Sequence, residues 1–590
     1  MSVSHEQVAE RYIFRLLLQS ILRENLVAYN RTDTGIEIDV PKGGVVEVPI
    51  SHTYILGHVD IQDPPVYIAS SGERQVIERM EQLLMILGFR NEVFVREMMN
   101  SALNYASALE AFEKRKQELP APRPDENTWE YVLRRKTEDS SFSPLVFFEQ
   151  WIITGHTTHP GARTRLSMSP EEAKRYAPEW GATPGLVPLA VAQEKTSETA
   201  PFGTGMTESL LTSYPEVKEE FDSLDREYRL IPLHPWQAEH TLPEYYHREL
   251  QEKTMVPLGA RIPTAALMSF RTMAPLFYGA PHIKTALNVQ MTSAVRTVSA
   301  ASTKNGPIMA ELLGKILEKD ERISRTTTIS GDIAGIHYVP DQQEDRSFFE
   351  KNIAAILREN PEASLEEGEV AMPAAALISE SPVTGKLLAE EFTGARTEEA
   401  AVAFIDSYAR ILLPGITRLM SEYGIAMEAH LQNAVIIFKK GRPHRVDLRD
   451  CGGVRILPER LDRHFEEAPI DPATNLLTDR EEEMTDIFSH ATFHNHLGEI
   501  IIALARRLNI PENRMWQAVR QVLEDSFASM DTEAARRDKE RLLKNRSRMK
   551  SLVRMRLSDQ FTDYAFVDAP NPFQKEELAH DGPSDPVSGY

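Results

Sequence analysis

The sequence has one cysteine, Cys451, among its 590 residues. A disulfide within the chain is therefore excluded, and so is a zinc site made of several thiolates. Long apolar runs are also missing: runs such as Ile501–Ala505 fall far short of the ~18 residues that a membrane-spanning helix needs. The N-terminus is polar and lacks the apolar core of a signal peptide. These absences predict a cytoplasmic protein.

Motifs of several enzyme classes are missing as well. The chain has no GxxxxGK(S/T) phosphate loop, no GxGxxG after a predicted strand, no GxSxG nucleophile elbow and no HExxH zinc motif. A nucleotide would therefore need another architecture. Basic residues are a minority, with 66 Lys and Arg against 88 Asp and Glu and a net charge of -22. This balance argues against general nucleic-acid affinity but leaves room for a local basic pocket that takes a small anion.

The patterns that are present predict an α+β protein with antiparallel sheet regions. Hydrophobic periodicity predicts the following N-terminal elements: a helix over His5–Val27, a hairpin over Ile36–Ile50, a strand near Thr53–Ile61, and helices over Arg74–Leu87 and Asn91–Lys114. We expect three regions, residues 1–144, 145–395 and 396–590. The second mixes short strands and loops, although its charged stretch 341–369 is predicted to be peripheral. The third is predicted to be mainly helical, interrupted by a strand–turn–strand over Asn433–Asp450.

The C-terminal region is predicted to end in a basic helix and a frayed tail. Arg536–Arg556 holds ten Lys or Arg among 21 residues, with apolar residues interleaved. A nucleic-acid helix is one interpretation. A helix over a phosphate-rich site, or a solvated one, is favoured because the whole chain is acidic. The frayed tail is predicted over residues 579–590.

Five polar clusters stand out along the chain. They are Thr154–Arg165, Ile231–Gln237, Ser269–Thr272, His282–Thr297, and Gly424–Ile437 with Asp447–Gly453 just beyond it. In the fourth, Lys284 is predicted on a strand, and Thr292 and Arg296 on one face of a following helix. With Ser269 and Arg271 these form a set of cations and hydroxyls that suits a triphosphate or a polycarboxylate. The alternative is surface salt bridging.

The fifth cluster predicts a magnesium site. Glu428 and Asp450 lie on either side of one predicted hairpin, and a neighbouring amide, from Gln432 or Asn433, would add an oxygen to a ligand set that magnesium accepts. His430 between them is predicted to hydrogen-bond a carboxylate or a phosphate. The alternative is a polar strand end. A rival metal site, His490, His494 and His496, lacks HExxH spacing, so we favour a structural role there.

Together, in this order, the five stretches resemble the NRPS-independent siderophore synthetases, the aerobactin synthetase family. The resemblance covers about residues 145–573. The family's opening motif, roughly GHPxHPxxKxRxG, stands here as Gly155-His156-Thr157-Thr158-His159-Pro160 with Arg163, Arg165 and Ser167. Thr157, Arg163 and Ser167 depart from it. "HPWQ", "SFRT", "KTALNVQMTSAVRT" and "EAHLQN" look like their family counterparts.

The resemblance implies a cupped-hand architecture of thumb, fingers and helical palm, in a homodimer. It implies that ATP and Mg²⁺ activate a carboxylic acid as an acyl-adenylate, which an amine or hydroxyl then attacks. The implied ATP-binding residues are His156, Arg163, Arg165, Ser269, Arg271, Lys284 and Gln432. The implied carboxylate-binding residues are Thr292, Arg296 and His430, the implied metal ligands are Glu428, Asn433 and Asp450, and the implied catalytic residues are Arg296, His430 and Lys284.

Citrate is the first choice of acid, and α-ketoglutarate or a citryl monoamide is the alternative. Three other classes stay open: a non-catalytic ferric-siderophore or nucleotide-binding protein, a histidine-metal hydrolase, and a nucleic-acid ligase. Retention of Lys284, Arg296 and His430 argues against the first. No nucleic acid or membrane partner is expected, and the sequence does not identify the nucleophile.

Overall fold

A computed structural model describes residues 4–558 and 565–574, apart from residues 293, 343, 466–469, 472–473, 475 and 545. The predicted frayed tail, residues 579–590, lies outside the described residues. Helices and several mostly antiparallel sheets alternate along the chain, which confirms the α+β class.

The N-terminal part packs helices against a six-stranded sheet in the order β1-β2-β3-β5-β6, with β4 paired to β3. Its elements are α1 (His5–Arg23), β1 (Tyr29–Thr32), β2 (Gly35–Asp39), β3 (Val45–Thr53), β4 (Val59–Ile61), β5 (Val66–Ile68), β6 (Arg74–Val76), α2 (Met80–Ile86), α3 (Glu92–Glu118), α4 (Thr128–Glu138) and α5 (Pro144–Gln150). The predicted first helix and hairpin are confirmed.

Two predictions here need correction. The strand expected over Thr53–Ile61 is broken by a turn in which Tyr54 N–H donates to the His58 carbonyl and Gly57 takes a φ of 79°. The helix expected from Arg74 begins at Met80, because residues 74–76 add an edge strand to β5. Sheet pairing overrides local helical periodicity at this point.

The middle part is built on a nine-stranded sheet in the order β10-β8-β12-β13-β14-β19-β18-β9, with β11 paired to β8. Its elements are β7 (Arg165–Leu166), α6 (Pro170–Tyr176), β8 (Gly185–Ala192), β9 (Thr196–Thr199), α7 (Met206–Ser213), α8 (Pro215–Asp222), β10 (Tyr228–Leu233), α9 (Leu242–Tyr245), α10 (His247–Gln251), β11 (Met255–Pro257), β12 (Ile262–Ala266), β13 (Thr272–Pro275), β14 (His282–Thr285), β15 (Gln290–Met291), β16 (Ala294–Val295), α11 (Ala300–Lys319), α12 (Glu321–Ser324), β17 (Thr327–Ser330), β18 (Asp332–Tyr338), α13 (Arg346–Asn352), β19 (Ala354–Arg358), β20 (Glu369–Pro373) and α14 (Leu388–Thr393).

The prediction that residues 341–369 are peripheral was wrong. Strand β19 lies inside the nine-stranded sheet between β14 and β18, and all five of its residues are buried. The charged residues that suggested a surface segment flank this strand. The helix expected to carry Thr292 and Arg296 is also absent, because β15 and β16 form a tight hairpin there and the next helix begins at Ala300.

The C-terminal part is helical around a four-stranded sheet, β17-β23-β22-β20, in which β17 and β23 run parallel. Its elements are α15 (Glu398–Tyr423), β21 (Ile425–Ala426), β22 (Ala434–Lys439), β23 (Arg442–Arg449), β24 (Arg455–Ile456), α16 (Pro458–Leu461), α17 (Glu481–Ser489), the π-helical segment His490–Leu497, α18 (Gly498–Leu508), α19 (Asn513–Ala528), α20 (Glu533–Leu542), β25 (Arg546–Lys550), α21 (Leu552–Leu557) and β26 (Phe566–Pro570). The predicted strand–turn–strand is confirmed.

The predicted basic helix over residues 536–556 is a helix, a strand and a second helix. Helix α20 ends at Leu542, and β25 then pairs with β26. Along β25, Arg546 and Arg548 are exposed whereas Ser547 and Met549 are buried. Exposed and buried side chains alternate with a period of two residues, as they do in a strand. The interleaved apolar residues form its buried face.

Helix α15 is long and apolar enough to cross a membrane by length and composition, with a mean hydropathy of 1.2 over its best window. Of that window, 61% is buried inside the protein. Its buried residues include Phe404, Leu412 and Ile416, which belong to the largest apolar cluster of the molecule. We interpret α15 as a core helix.

A buried ion pair ties this core to the C-terminal helices. The Arg460 guanidinium binds the Asp538 carboxylate through two contacts of 2.6 and 3.0 Å, and Ser421 Oγ donates to the same carboxylate.

Asp538→Ala leaves Arg460 buried without this partner, so we expect the free energy of unfolding to fall by about 3–5 kcal/mol. Urea titration measures it. Asp531→Ala is the control, because the Asp531 side chain is exposed. Equal stability of the two variants would contradict this prediction.

Candidate functional site

All thirteen site residues named from the sequence line one cavity of about 420 Å³. They are His156, Arg163, Arg165, Ser269, Arg271, Lys284, Thr292, Arg296, Glu428, His430, Gln432, Asn433 and Asp450. They come from four stretches separated by up to about three hundred residues, so the fold gathers them. Their individual roles stay predictions.

Strand pairing explains why these residues meet in one cavity. In the small sheet β7-β15-β16, Arg165 lies opposite Met291, so the first cluster meets the segment that carries Thr292. In the large sheet, Thr272 lies opposite Lys284, which joins the third cluster to the fourth. The C-terminal hairpin closes the site from the other side, because its open end carries Asn433 on one strand and Asp450 after the other.

The two arginines of the first cluster are held by one buried carboxylate, Glu179. Arg165 Nη2 lies 2.5 Å from Glu179 Oε1, and Arg163 Nη1 lies 3.1 Å from Glu179 Oε2. Although burial opposes the shift, these two cations lower the pKa of Glu179 to about 2. One negative charge thus balances two positive charges, which leaves a net positive wall for an anion.

An aromatic ring fixes the Arg165 guanidinium from its other side. The guanidinium carbon lies 4.7 Å from the centre of the Phe270 ring, a cation–π contact. Phe270 is buried and has a φ of 67°. Thr292 and Asp450 at the same cavity also have positive φ values, 59° and 63°. Such conformations cost free energy in non-glycine residues and cluster at functional sites.

The second polar cluster, "HPWQ", lies behind the cavity wall. His234 is fully buried, and its ring stacks on Phe270 at a centroid distance of 6.2 Å. Gln237 Oε1 accepts from the Asn288 N–H at 2.8 Å, and its amide nitrogen donates to the Asn352 carbonyl at 2.9 Å. This cluster therefore supports the segment between Lys284 and Thr292.

A second set of ion pairs lies at the far end of the cavity. Lys284 Nζ lies 2.8 and 2.9 Å from the two oxygens of Asp450. Arg358 Nη2 lies 3.3 Å from Asp450 Oδ1, while its Nε binds Asp332 at 2.7 Å. Burial lowers the pKa of Lys284 to about 8, against the opposing effect of Asp450. Lys284 and Arg358 hold the pKa of Asp450 well below its usual range, so Asp450 is ionised.

The predicted metal ligands fit a divalent cation in chemistry. The backbone turn after Asp450 is open enough for the Glu428 carboxylate only because residue 453 is glycine; a Cβ there would collide with that carboxylate. Asn433 Nδ2 donates to the Glu428 carbonyl at 3.3 Å, which keeps the amide beside the same residue. Glu428 Oε1 binds Lys550 Nζ at 2.7 Å. Two ionised carboxylates and an amide therefore face one space, with lysines balancing the carboxylates in the ligand-free form.

Arg271 and Arg296 complete the cationic wall. Arg271 Nη1 donates to the Thr297 carbonyl, and burial together with Arg296 lowers the pKa of Arg271 to about 10. Arg296 Nη2 lies 3.3 Å from Thr292 Oγ1. These two residues do meet, as the sequence predicted, but a hairpin brings them together instead of a helix.

The histidines of the cavity are neutral bases. Desolvation by the surrounding cavity walls, with nearby His430 and Arg296 adding repulsion, lowers the pKa of His156 below its usual range, although part of its ring is open to the cavity. The pKa of His430 is also lowered by burial. His430 Nδ1 faces the backbone N–H groups of Gln432 and Asn433 at 3.3 and 3.4 Å, which leaves Nε2 for a ligand. His159, in contrast, is fully buried outside the cavity lining and accepts from the Gly161 N–H.

The rival histidine cluster does not form a metal site. His490 Nδ1 accepts from the Lys550 N–H, His494 Nε2 contacts Ser547 Oγ at 2.7 Å, and His496 contacts both Tyr408 and the Ala429 carbonyl. Each ring thus has its own partners. Among the described residues, no group of three or more His, Cys, Asp or Glu is placed to hold a metal ion.

Three residues of the site were missed in the sequence. Glu179 and Lys550 act through ion pairs with distant residues, which local spacing does not reveal. Asn495 lines the cavity from within the π-helical segment. The only sequence feature that drew attention to Asn495 was its position between His494 and His496, and those histidines suggested a metal site instead.

Family models match two parts of the chain. Residues 144–379 match the IucA / IucC family, and residues 402–564 match the family described as ferric iron reductase FhuF-like transporter. The cavity is lined from both matched parts.

Similar proteins cover nearly the whole chain. D-ornithine–citrate ligase of Staphylococcus aureus is 26% identical over 95% of this chain and 90% of its own length. The petrobactin biosynthesis protein AsbB from Bacillus anthracis has a TM-score of 0.78 at 19% identity, with 97% of this chain and 96% of that chain covered. ATP-bound aerobactin synthetase IucA from Klebsiella pneumoniae has a TM-score of 0.76 at 19% identity, covering 95% and 99%. At these identities the two structures show a shared fold.

The Glu179 ion pairs predict a pH-dependent stability. The pKa of Glu179 is about 2 in the folded protein against 4.5 normally, so its stabilisation is complete above about pH 4.5 and is lost as the pH falls toward about 2. We expect Glu179→Gln to lower the free energy of unfolding by about 3 kcal/mol at pH 7, with a smaller deficit at pH 3.5. Urea titrations at both pH values measure it. Glu171→Gln, on exposed Glu171, is the control; a deficit that grows at pH 3.5 would contradict the account.

Proposed function

We propose, because residues 144–379 match the IucA / IucC family, that the chain is a siderophore synthetase that joins a carboxylic acid to an amine or hydroxyl at the expense of ATP. The observation that carries this proposal is the single cavity in which five cationic side chains face two carboxylates and two neutral histidines. In a chain of net charge -22, such a concentration of cations is a built anion site.

The first half-reaction needs the cations. A carboxylate oxygen of the acid attacks the α-phosphorus of ATP, and the bond to pyrophosphate breaks. Negative charge gathers on the phosphoryl oxygens in the transition state, and preorganised cations stabilise it. Arg163, Arg165, Arg271 and Lys284, which line the cavity, are the proposed cations for this step, and His156, Ser269 and Gln432 are the proposed polar contacts to ATP.

The acid is proposed to bind beside these cations, at Arg296, Thr292 and His430. Arg296 with Thr292 offers a guanidinium and a hydroxyl only 3.3 Å apart, a pair that suits a carboxylate. His430 adds a neutral ring nitrogen. In the second half-reaction an amine or hydroxyl attacks the acyl carbon, and the bond to AMP breaks. Because the acyl group never joins the enzyme, no nucleophilic side chain is required.

Magnesium is the proposed metal, held by Glu428, Asn433 and Asp450. When bound it would neutralise phosphate charge and help align the triphosphate. Lys284 and Lys550, which balance these carboxylates in the ligand-free form, would then be released toward other anions. The ATP-bound state of the Klebsiella structure supports the nucleotide part of this assignment.

Citrate is the proposed acid, which the name of the Staphylococcus aureus relative supports. α-Ketoglutarate and a citryl monoamide are the alternatives within the same chemistry. We also propose the cupped-hand arrangement with regions 1–144, 145–395 and 396–590, a homodimer, and a cytoplasmic location.

The activity is tested by trapping the acyl group. Purified protein is incubated with ATP, Mg²⁺ and hydroxylamine, with citrate, α-ketoglutarate, succinate or no acid. We expect hydroxamate and pyrophosphate to form together with one acid, citrate first. Pyrophosphate release that does not depend on any acid would contradict acid activation, and ATP binding without product from these acids or a citryl monoamide would favour a non-catalytic binding protein.

Arg296→Ala separates acid binding from ATP binding. Loss of a charged hydrogen bond costs about 1.5–3 kcal/mol, so the KM for the acid should rise about 10-fold or more. The KM for ATP should change much less. Arg248→Ala is the matched control, since Arg248 is exposed and pairs only locally with Glu252. A rise confined to the KM for ATP would show that Arg296 serves the nucleotide.

A further inference from the structure

The π-helical segment brings Asn495 to the wall of the cavity in an unusual conformation. Asn495 has φ -109° and ψ 16° within an otherwise helical run, and 8% of its surface is exposed. π-Helical irregularities often lie at functional sites. Its carbonyl accepts from the Leu431 N–H at 3.2 Å, so the backbone of Asn495 is fixed beside the loop that carries His430.

The orientation of the Asn495 amide follows from its neighbour His490. The Lys550 backbone N–H donates to His490 Nδ1 at 3.2 Å, so Nδ1 carries no proton. The ring is buried, and burial together with Lys550 lowers the pKa of His490 well below its usual range. A neutral ring that accepts at Nδ1 carries its proton at Nε2.

The structure has Asn495 Nδ2 2.8 Å from His490 Nε2, which would set one donor against another. Because Nε2–H is a donor, the atom of Asn495 that faces it must be the acceptor, the amide oxygen. The two amide atoms are interchangeable by a half-turn of the side-chain amide, and the hydrogen-bond partners decide between them. The NH₂ group of Asn495 therefore faces the other way, and Asn495 lines the cavity.

We propose that Asn495 is a substrate-binding residue whose NH₂ group donates a hydrogen bond to a carboxylate oxygen of the acid. The hydrogen bond from the Leu431 N–H to the Asn495 carbonyl places Asn495 next to His430, one of the proposed acid-binding residues. His490 acts as a positioning residue, because its Nε2–H fixes which face of the amide meets the substrate. This inference rests on the proposed function and adds a neutral hydrogen-bond donor to the proposed acid-binding residues.

Asn495→Asp is the decisive variant. An aspartate keeps the shape and still accepts from His490 Nε2–H, but it turns an oxygen instead of NH₂ toward the acid. We expect the KM for citrate to rise about 10-fold or more, and the dissociation constant for citrate measured by calorimetry with ATP absent to rise in parallel. The KM for ATP should stay within about 2-fold. Asn495→Ala serves as the second variant, with a smaller rise because it adds no negative charge.

Thr492→Val is the matched control. Thr492 lies in the same π-helical segment, is fully buried and does not line the cavity, and its hydroxyl has no hydrogen-bond partner among the described residues. We expect both KM values of this variant to match wild type.

An unchanged citrate affinity in folded Asn495→Asp, or an equal rise in the KM for citrate and for ATP, would overturn the inference while the proposed function stands. Wild-type protein that forms no hydroxamate and binds no acid would overturn the proposed function, and the inference falls with it.

Discussion

Cations that face a cavity inside a protein need anions behind them, and this constraint organises the whole site. Burying an unpaired guanidinium or ammonium costs several kcal/mol. Glu179 balances Arg163 and Arg165, while Asp450 balances Lys284. In each case the anion is itself held by a second cation or a backbone turn. The cavity therefore carries cationic side chains that are charge-balanced from behind, which is the arrangement that the proposed anion binding requires.

The sheets make this balance possible because they join segments that are far apart in the chain. The short pairing of β7 with β15 carries the first arginine pair to the hairpin of Thr292 and Arg296. The β22–β23 hairpin carries Asp450 across to Lys284 on β14. A ligand that contacts both Lys284 and Asp450 would bridge the two parts of the chain that match different family models. The cavity residues come from both matched parts, so neither part alone holds the complete set.

The sequence was informative where chemistry is local. Residue types and order, together with the family resemblance, were enough to name thirteen residues that share one cavity, since motifs such as "EAHLQN" keep their side chains within one loop. The sequence did not predict the features that depend on pairing between segments far apart in the chain. Glu179 and Lys550 matter because of partners far away in the chain, and the helix expected at Thr292–Arg296 became a hairpin because β7 supplies a pairing edge. The strand β19 was hidden by charged residues on both of its flanks.

The central claim is that the acid attacks the α-phosphorus of ATP in this cavity. Citrate labelled with ¹⁸O in its carboxylates tests it directly, in a reaction with ATP, Mg²⁺ and hydroxylamine. Breaking the acyl-adenylate leaves the attacking oxygen on AMP, so the account predicts one ¹⁸O in the AMP phosphate for each hydroxamate formed. Unlabelled AMP, or ADP with ¹⁸O in inorganic phosphate, would contradict it, because the acid would then have been activated at another phosphorus or not by ATP at all.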